Sequence, residues 1–296
     1  MPARTGTNRG LAYLTAFRNP SFTRPNQATQ VPGGPRCQSP QEGDTLTLIR
    51  KAEPAAGRDR ADQVRTLFSE IAPRYDLLNH LLSLNIDRLW RRRAIRELGW
   101  EAAPGDTYLD LCTGTFDLAA ELARRRGFGG TVVASDFAFP MLARGLGKIH
   151  AISVQPVCGD AQRLPFADCA FAGVAVGFGV RNLSDPEAGF REACRVLKPG
   201  GRFVVLEFSV PPGRLLRAAY LLYFNHILPR AGRLVSGHPW AYSYLPESVK
   251  DFPGPRRLAE LIRGAGFAKA DWFLLTGGIA AIHVGVKGPA VPPPAR

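Results

Sequence analysis

The sequence predicts an α/β protein built on a doubly wound, mostly parallel seven-stranded sheet. Three observations predict it. From residue 107 to residue 287, short apolar runs alternate with helical patterns. Those runs are apolar without a polar face, as strands covered on both sides require. Glycine or an acid stands at the end of three successive runs, at Gly114, Asp136 and Gly159-Asp160, where ligands of such sheets bind.

In order, strands are expected at 107–112, 131–135, 152–157, 171–177 and 202–208, with helices at 117–126, 140–148 and 187–197 between them. Lys198-Pro199-Gly200-Gly201 reads as a turn that stops the third helix. A mostly apolar helix follows at 215–228, then a helix at 256–265. The last two strands, 271–275 and 279–286, are close enough in sequence to pair directly and close the sheet with an antiparallel edge. Before the alternation begins, 77–84 and 89–98 read as helices, with Arg91, Arg92 and Arg93 on the exposed side. These helices are expected to form a lid.

The folded unit spans 61–287. Residues 1–60 are rich in Pro, Gly, Arg, Asn, Gln and Thr without a period and read as a disordered basic extension; 288–296 read as a tail. Up to residue 41 there are five arginines and no acid. Such a stretch is either a transit peptide or an extension with no address. The first reading places the protein in the mitochondrial matrix, the second in the cytoplasm at the inner membrane face.

The chain carries a net charge of +13 and five cysteines with no CxxC pair. A metal site or a disulfide framework is not expected, and a reducing compartment is. No apolar run is long enough to span a bilayer. No nucleic-acid-binding signature is visible. The basic charge suits an anionic lipid surface, so peripheral membrane contact is expected. Oligomeric state is open, a homo-oligomer included.

Three strand ends carry the candidate chemistry. In Leu109-Asp110-Leu111-Cys112-Thr113-Gly114-Thr115-Phe116-Asp117, Gly114 lets the backbone pass close to a ligand. Thr115 and the free amides at the helix start can bond a carboxylate or a ribose. GxGxxG is missing, which argues against a dinucleotide. Asp136, ending the second strand, suits two ribose hydroxyls; its rival role is to cap the next helix. Asp160 and the Ala161 amide, after the third, suit an adenine. Together they favour an adenosyl ligand without a pyrophosphate.

Several stretches resemble the C-methyltransferases of ubiquinone and menaquinone biosynthesis: Tyr75-Asp76-Leu77-Leu78-Asn79, Phe178-Gly179-Val180-Arg181-Asn182, the run from Arg195 to Ser209, Tyr244-Leu245, and Thr276 through His283. The resemblance implies S-adenosyl-L-methionine as cofactor, with contacts at Thr115, Asp136, Asp160 and Ala161 and at position 177, here Gly177, beside the Gly114 turn already read as cofactor-binding. It implies methylation of a prenylated quinol, demethylmenaquinol ahead of the benzoquinol precursor of ubiquinone. Three residues depart from the family pattern. Phe116 stands where glycine is usual and would be strained at positive φ; its ring either swings aside or crowds the pocket. Gly177 replaces a serine and Asp87 a histidine. The rival to an active enzyme is a quinone-binding protein that has lost its cofactor.

Ring carbon is a poor nucleophile unless an adjacent hydroxyl is ionised, and phenols ionise near pH 10. The site must therefore stabilise a phenolate. Arg181 is the candidate cation, its alternative being an ion pair that holds its own loop. Tyr75, Asn79, Asn182 and Tyr244 can orient ring oxygens. His283 is either a proton carrier or a core residue. The 215–228 helix either receives the prenyl tail, lies on the membrane, or is buried.

Overall fold

The computed structural model describes residue 83 and residues 85–223 and 248–289. Tyr75, Asn79, Tyr244, most of the 77–84 segment and the two predicted tails up to 60 and from 290 lie outside the described residues. Six helices are defined among those described: α1 (Ile86–Glu97), α2 (Asp117–Ala123), α3 (Phe139–Gly145), α4 (Pro186–Val196), α5 (Arg214–Leu222) and α6 (Pro255–Gly264). Seven strands are β1 (Thr107–Leu111), β2 (Thr131–Asp136), β3 (Val154–Cys158), β4 (Phe171–Gly177), β5 (Leu197–Phe208), β6 (Phe267–Leu275) and β7 (Ala280–Lys287).

The strands lie in the order β3-β2-β1-β4-β5-β7-β6. The first five pair in parallel; β7 pairs antiparallel with both β5 and β6. The chain winds outward from β1 to β3, returns to β4 beside β1, and winds outward the other way. The crevice between β1 and β4 is thus the switch point of the sheet.

Side-chain alternation sorts the core into two layers. Tyr108, Ala134, Ala175, Val204, Leu206 and Ile282 pack with α1 and α2. Leu109, Leu111, Val174, Val176, Phe203 and Val205 pack with α4 and α6. Helix starts follow local chemistry. Asp185 caps α4 by accepting from the Ala188 amide, with Pro186 in the first turn.

Two details differ from expectation. Lys198–Gly201 does not form a free turn: β5 begins at Leu197 and runs through it, with Gly200 at φ +76° and a register shift against β4 between Phe171 and Gly173. A bulge absorbs the glycines while the ladder continues. The 215–228 helix, over its described part, is not buried. Leu215 is 89% exposed, Leu222 is exposed, and of α5 only Tyr220 is buried.

Candidate functional site

The site is built from strand ends on the switch-point side of the sheet. β1 leads into a tight turn with Cys112, Gly114 and Phe116 at φ +53°, +57° and +68°. Left-handed backbone suits glycine but costs a phenylalanine about 1–2 kcal/mol. Beneath the turn, Asp110 Oδ2 accepts from Thr113 Oγ1 at 2.5 Å and from the Ala119 amide at 2.9 Å, fixing the turn to the start of α2. Burial pushes the Asp110 carboxyl up to about 7, against the hydrogen bonds from Thr113 and Ala119.

The neighbouring ends are tied to this turn. Thr113 N–H donates to Ser135 O at 3.0 Å, and Gly159 N–H to Asp136 O at 3.0 Å. Asp136 Oδ2 accepts from the Gly114 amide and Oδ1 from the Ala138 amide, both at 2.8 Å. One carboxylate therefore spans the ends of β1 and β2, and the Phe137 amide bonds it as well. Burial raises the Asp136 carboxyl, opposed by those amides. Past β3, Asp160 is exposed and accepts from the Gln162 amide at 2.9 Å, while Ala161 is buried.

These groups fit an adenosyl ligand. Ser135 Oγ is buried with no partner among the described residues, 3.2 Å from where a Cβ on Gly159 would stand, between the ends of β2 and β3. A buried hydroxyl of this kind calls for a ligand or water. Thr115 is in the turn, but its hydroxyl accepts from Lys148 Nζ at 3.0 Å and is almost fully buried. Gly177 ends β4 beside β1, and a side chain there would meet only ordinary contacts, Leu118 Cδ2 at 3.6 Å and Arg91 Nη1 at 3.8 Å. Phe116 does not project into this crevice. Its ring is fully buried among the α1–α2 layer and lies against Gly145 of α3.

Two candidates for catalysis have partners within the fold, as their alternative readings expect. Arg181, in the turn after β4, donates from Nη1 to Glu207 Oε2 at 2.9 Å and to Phe178 O at 2.7 Å. Its charge is balanced by a carboxylate 26 residues away on β5, so it is not a free cation for a phenolate. Asn182 beside it donates to Phe178 O at 3.3 Å and braces the same turn. His283 lies opposite Val205 in the ladder, on the α4–α6 face, with Nε2 donating to Pro255 O at 2.9 Å. It is 1% exposed, and burial pushes its imidazole down to about 4. It is a neutral core histidine away from the strand ends.

Sequence reasoning missed a charged cluster at the crevice. Arg91 is buried, unlike Arg92 and Arg93. Its Nε donates to Asp87 Oδ2 at 3.3 Å, and its Nη2 lies 3.6 Å from Asp117 Oδ2. Asp117 also pairs with Lys148 at 2.5 Å. The available signal was spacing: Asp87, Arg91 and Ile95 fall on one face of α1 with Trp90 and Ala94.

Comparison with known proteins agrees with this geometry. Residues 57–287 match the ubiE/COQ5 methyltransferase family. The demethylmenaquinone methyltransferase of Thermus thermophilus is 51% identical, over 74% of this chain and 99% of that protein. That of Deinococcus radiodurans is 47% identical, over 78% and 95%. Among solved structures, a SAM-dependent methyltransferase from Thermotoga maritima superposes with a TM-score of 0.52 at 18% identity, covering 76% of this chain and 99% of that one. The [4+2]-cyclase SpnF superposes at 0.51 and 19% identity, covering 68% and 81%, so the fold by itself does not set the reaction. With the family shown over most of its length, the chain belongs to the ubiE/COQ5 methyltransferases and is an enzyme that takes its methyl group from S-adenosyl-L-methionine.

Proposed function

We propose that the enzyme methylates a ring carbon of a prenylated quinol, demethylmenaquinol. The observation that carries the reading is the Asp136 carboxylate joined to the Gly114 amide at the mouth of the sheet, in a chain about half identical to proteins named for that reaction. Asp136 would hold the ribose, Asp160 and Ala161 the adenine, and the Gly114 turn with Gly177 the methionyl end. The bound donor supplies an electrophilic methyl group on a sulfonium.

The protein's part is to place the acceptor and exclude water. Arg181, balanced by Glu207, is a positioning residue for the 178–182 turn. Its Nε is buried with no partner among the described residues, so the side chain acts on the turn rather than on the acceptor itself. Tyr75 and Asn182 would orient the ring oxygens. The apolar face of α5, with Leu215 and Leu222 exposed beside Arg214 and Arg217, suits a prenyl tail drawn from an anionic lipid surface. No helix among the described residues is long and apolar enough to cross a membrane.

The test is methyl transfer from labelled donor to reduced demethylmenaquinone and to the reduced benzoquinol precursor of ubiquinone, side by side, with product masses measured. Methylated naphthoquinol as the main product supports the reading. Methylation of the benzoquinol alone, or of neither, overturns it.

A further inference from the structure

We propose that Cys169 and Cys194 are an oxidisable thiol pair that closes to a disulfide on reaction with hydrogen peroxide, with the Lys287 ammonium beside the attacking sulfur. The proposal goes beyond the methyl-transfer reading and does not depend on it.

Placement comes first. Cys169 lies just before β4, Cys194 in the last turn of α4, and Lys287 at the end of β7. The Cys169 amide donates to Arg195 O at 3.1 Å, so its backbone is joined to the residue after Cys194. Cys194 Sγ lies 3.6 Å from where a Cβ on Gly266 would stand, and the next residue, Phe267, is the ladder partner of Lys287. Lys287 Nζ in turn reaches Cys169 Sγ at 3.7 Å. Both sulfurs therefore belong to one corner of the sheet, at the end away from Gly114, Asp136 and Asp160.

Charge comes second. Lys287 Nζ also donates to Leu197 O at 2.7 Å and to Arg195 O at 3.2 Å. An ammonium has three donors; two are held by carbonyls and the third faces sulfur. Among the described residues no carboxylate pairs with Lys287. The thiolate is the form of cysteine that reacts, and a neighbouring lysine favours it. Burial pushes the Cys194 thiol up, opposed by the Lys287 ammonium and reinforced by Cys169. Cys169, in direct contact with the ammonium, is the sulfur that attacks, and Cys194 is the one that resolves.

Access comes third. Cys169 and Cys194 are half-buried, within reach of a small oxidant. Cys112 is set apart from them: burial, with Asp136, Asp110, Asp160 and Glu207 around it, holds its thiol well above the usual range. In a reducing compartment a disulfide is transient, so such a pair responds to oxidant rather than holding the fold together.

The chemistry balances in two steps. Cys169 Sγ attacks a peroxide oxygen: the S–O bond forms, the O–O bond breaks, and water leaves with the thiol proton. Cys194 Sγ then attacks the sulfenic sulfur: the S–S bond forms, the S–O bond breaks, and a second water leaves with the Cys194 proton. The two thiols are oxidised and the peroxide is reduced.

The test is treatment of the folded full chain with a small excess of hydrogen peroxide, alkylation of the remaining thiols, and mass mapping after proteolysis. The expected product joins the Cys169 and Cys194 peptides at about 2 Da below their sum, the two thiol hydrogens, and a dithiol reductant separates them again. Cys194→Ser should leave a sulfenic acid at Cys169 that dimedone traps, and Cys169→Ser should leave none at Cys194. Lys287→Met should slow disulfide formation by about tenfold, because the cation beside the attacking sulfur is gone. Circular dichroism melts establish that each variant is folded. Where a variant unfolds, the wild-type map carries the test. Cys169 and Cys194 both alkylated after peroxide overturn the proposal, whether or not another cysteine is oxidised. An unchanged rate in folded Lys287→Met overturns the part given to the ammonium.

Discussion

The ring of Phe116 lies where Gly145 makes room for it: a Cβ at 145 would stand 2.5 Å from Phe116 Cδ2 and 2.8 Å from the Thr115 backbone. The residue most out of place in the first turn is therefore accommodated by a helix behind it. Gly145→Ala should destabilise the fold by about 1–3 kcal/mol, as overpacking does, although alanine ordinarily favours a helix. Chemical denaturation measures this. A gain in stability would mean that the ring is not there.

Phe116→Gly trades a buried ring, worth about 3–5 kcal/mol when truncated, against relief of about 1–2 kcal/mol of left-handed strain. The expected outcome is a net loss of about 2–3 kcal/mol with S-adenosylhomocysteine affinity unchanged. Appearance of binding only in the variant would instead show that the aromatic ring blocks the pocket.

Glu207→Gln leaves the buried Arg181 guanidinium without its balancing charge. Breaking a buried pair costs about 3–5 kcal/mol, and the double variant Arg181→Met/Glu207→Gln should recover much of it. Denaturant midpoints for the two variants check this. Recovery of most of the stability without recovery of methyl transfer is expected, because the proposed acceptor site borders the 178–182 turn.

Asp110 predicts a pH dependence. Its folded value of about 7 lies above the ordinary 3.8, so the native state holds the proton more tightly than the unfolded chain. The penalty for ionising it is absent below pH 3.8, grows through pH 4–7 and is complete above 7, at roughly 4 kcal/mol. Asp110→Asn keeps an acceptor for Thr113 and the Ala119 amide. Its stability relative to wild type should rise from pH 4 to 7 and then level off. A constant difference across that range would contradict the assignment.

His283 works in the opposite sense. Its folded value of about 4 lies below the ordinary 6.5, so the native state resists the proton and loses stability as pH falls from 6.5 to 4, by roughly 3 kcal/mol. His283→Gln should unfold at lower pH than wild type and keep methyl transfer within about twofold. A large loss of turnover at neutral pH would return the histidine to the active site.

The legibility of this chain follows sequence distance. β1, β2 and β4 and the helices between them were readable because their signals are local: apolar runs, helical spacing and glycine turns. The places of Asp136 at the end of β2 and Asp160 just past β3 were readable for the same reason, since each follows an apolar run. The Arg181–Glu207 pair was not readable. It joins a turn after β4 to the end of β5, and alternation along β5 gives no partner for either charge. His283 has the residue type of a proton carrier, and only the ladder with Val205 and the Pro255 carbonyl shows it to be core. Arg91 was hidden in a basic run that reads as a solvated face. Its burial comes from α1 lying against α2 and β5.

A crystal structure of the full chain with S-adenosylhomocysteine tests whether the ends of β1, β2 and β3 grip the adenosyl donor. Ribose hydroxyls on Asp136, the adenine beside Asp160 and Ala161, and the Phe116 ring still against Gly145 are expected. Density for the adenosyl group away from Asp136, or a Phe116 ring filling the crevice between Gly114 and Gly177, would contradict it.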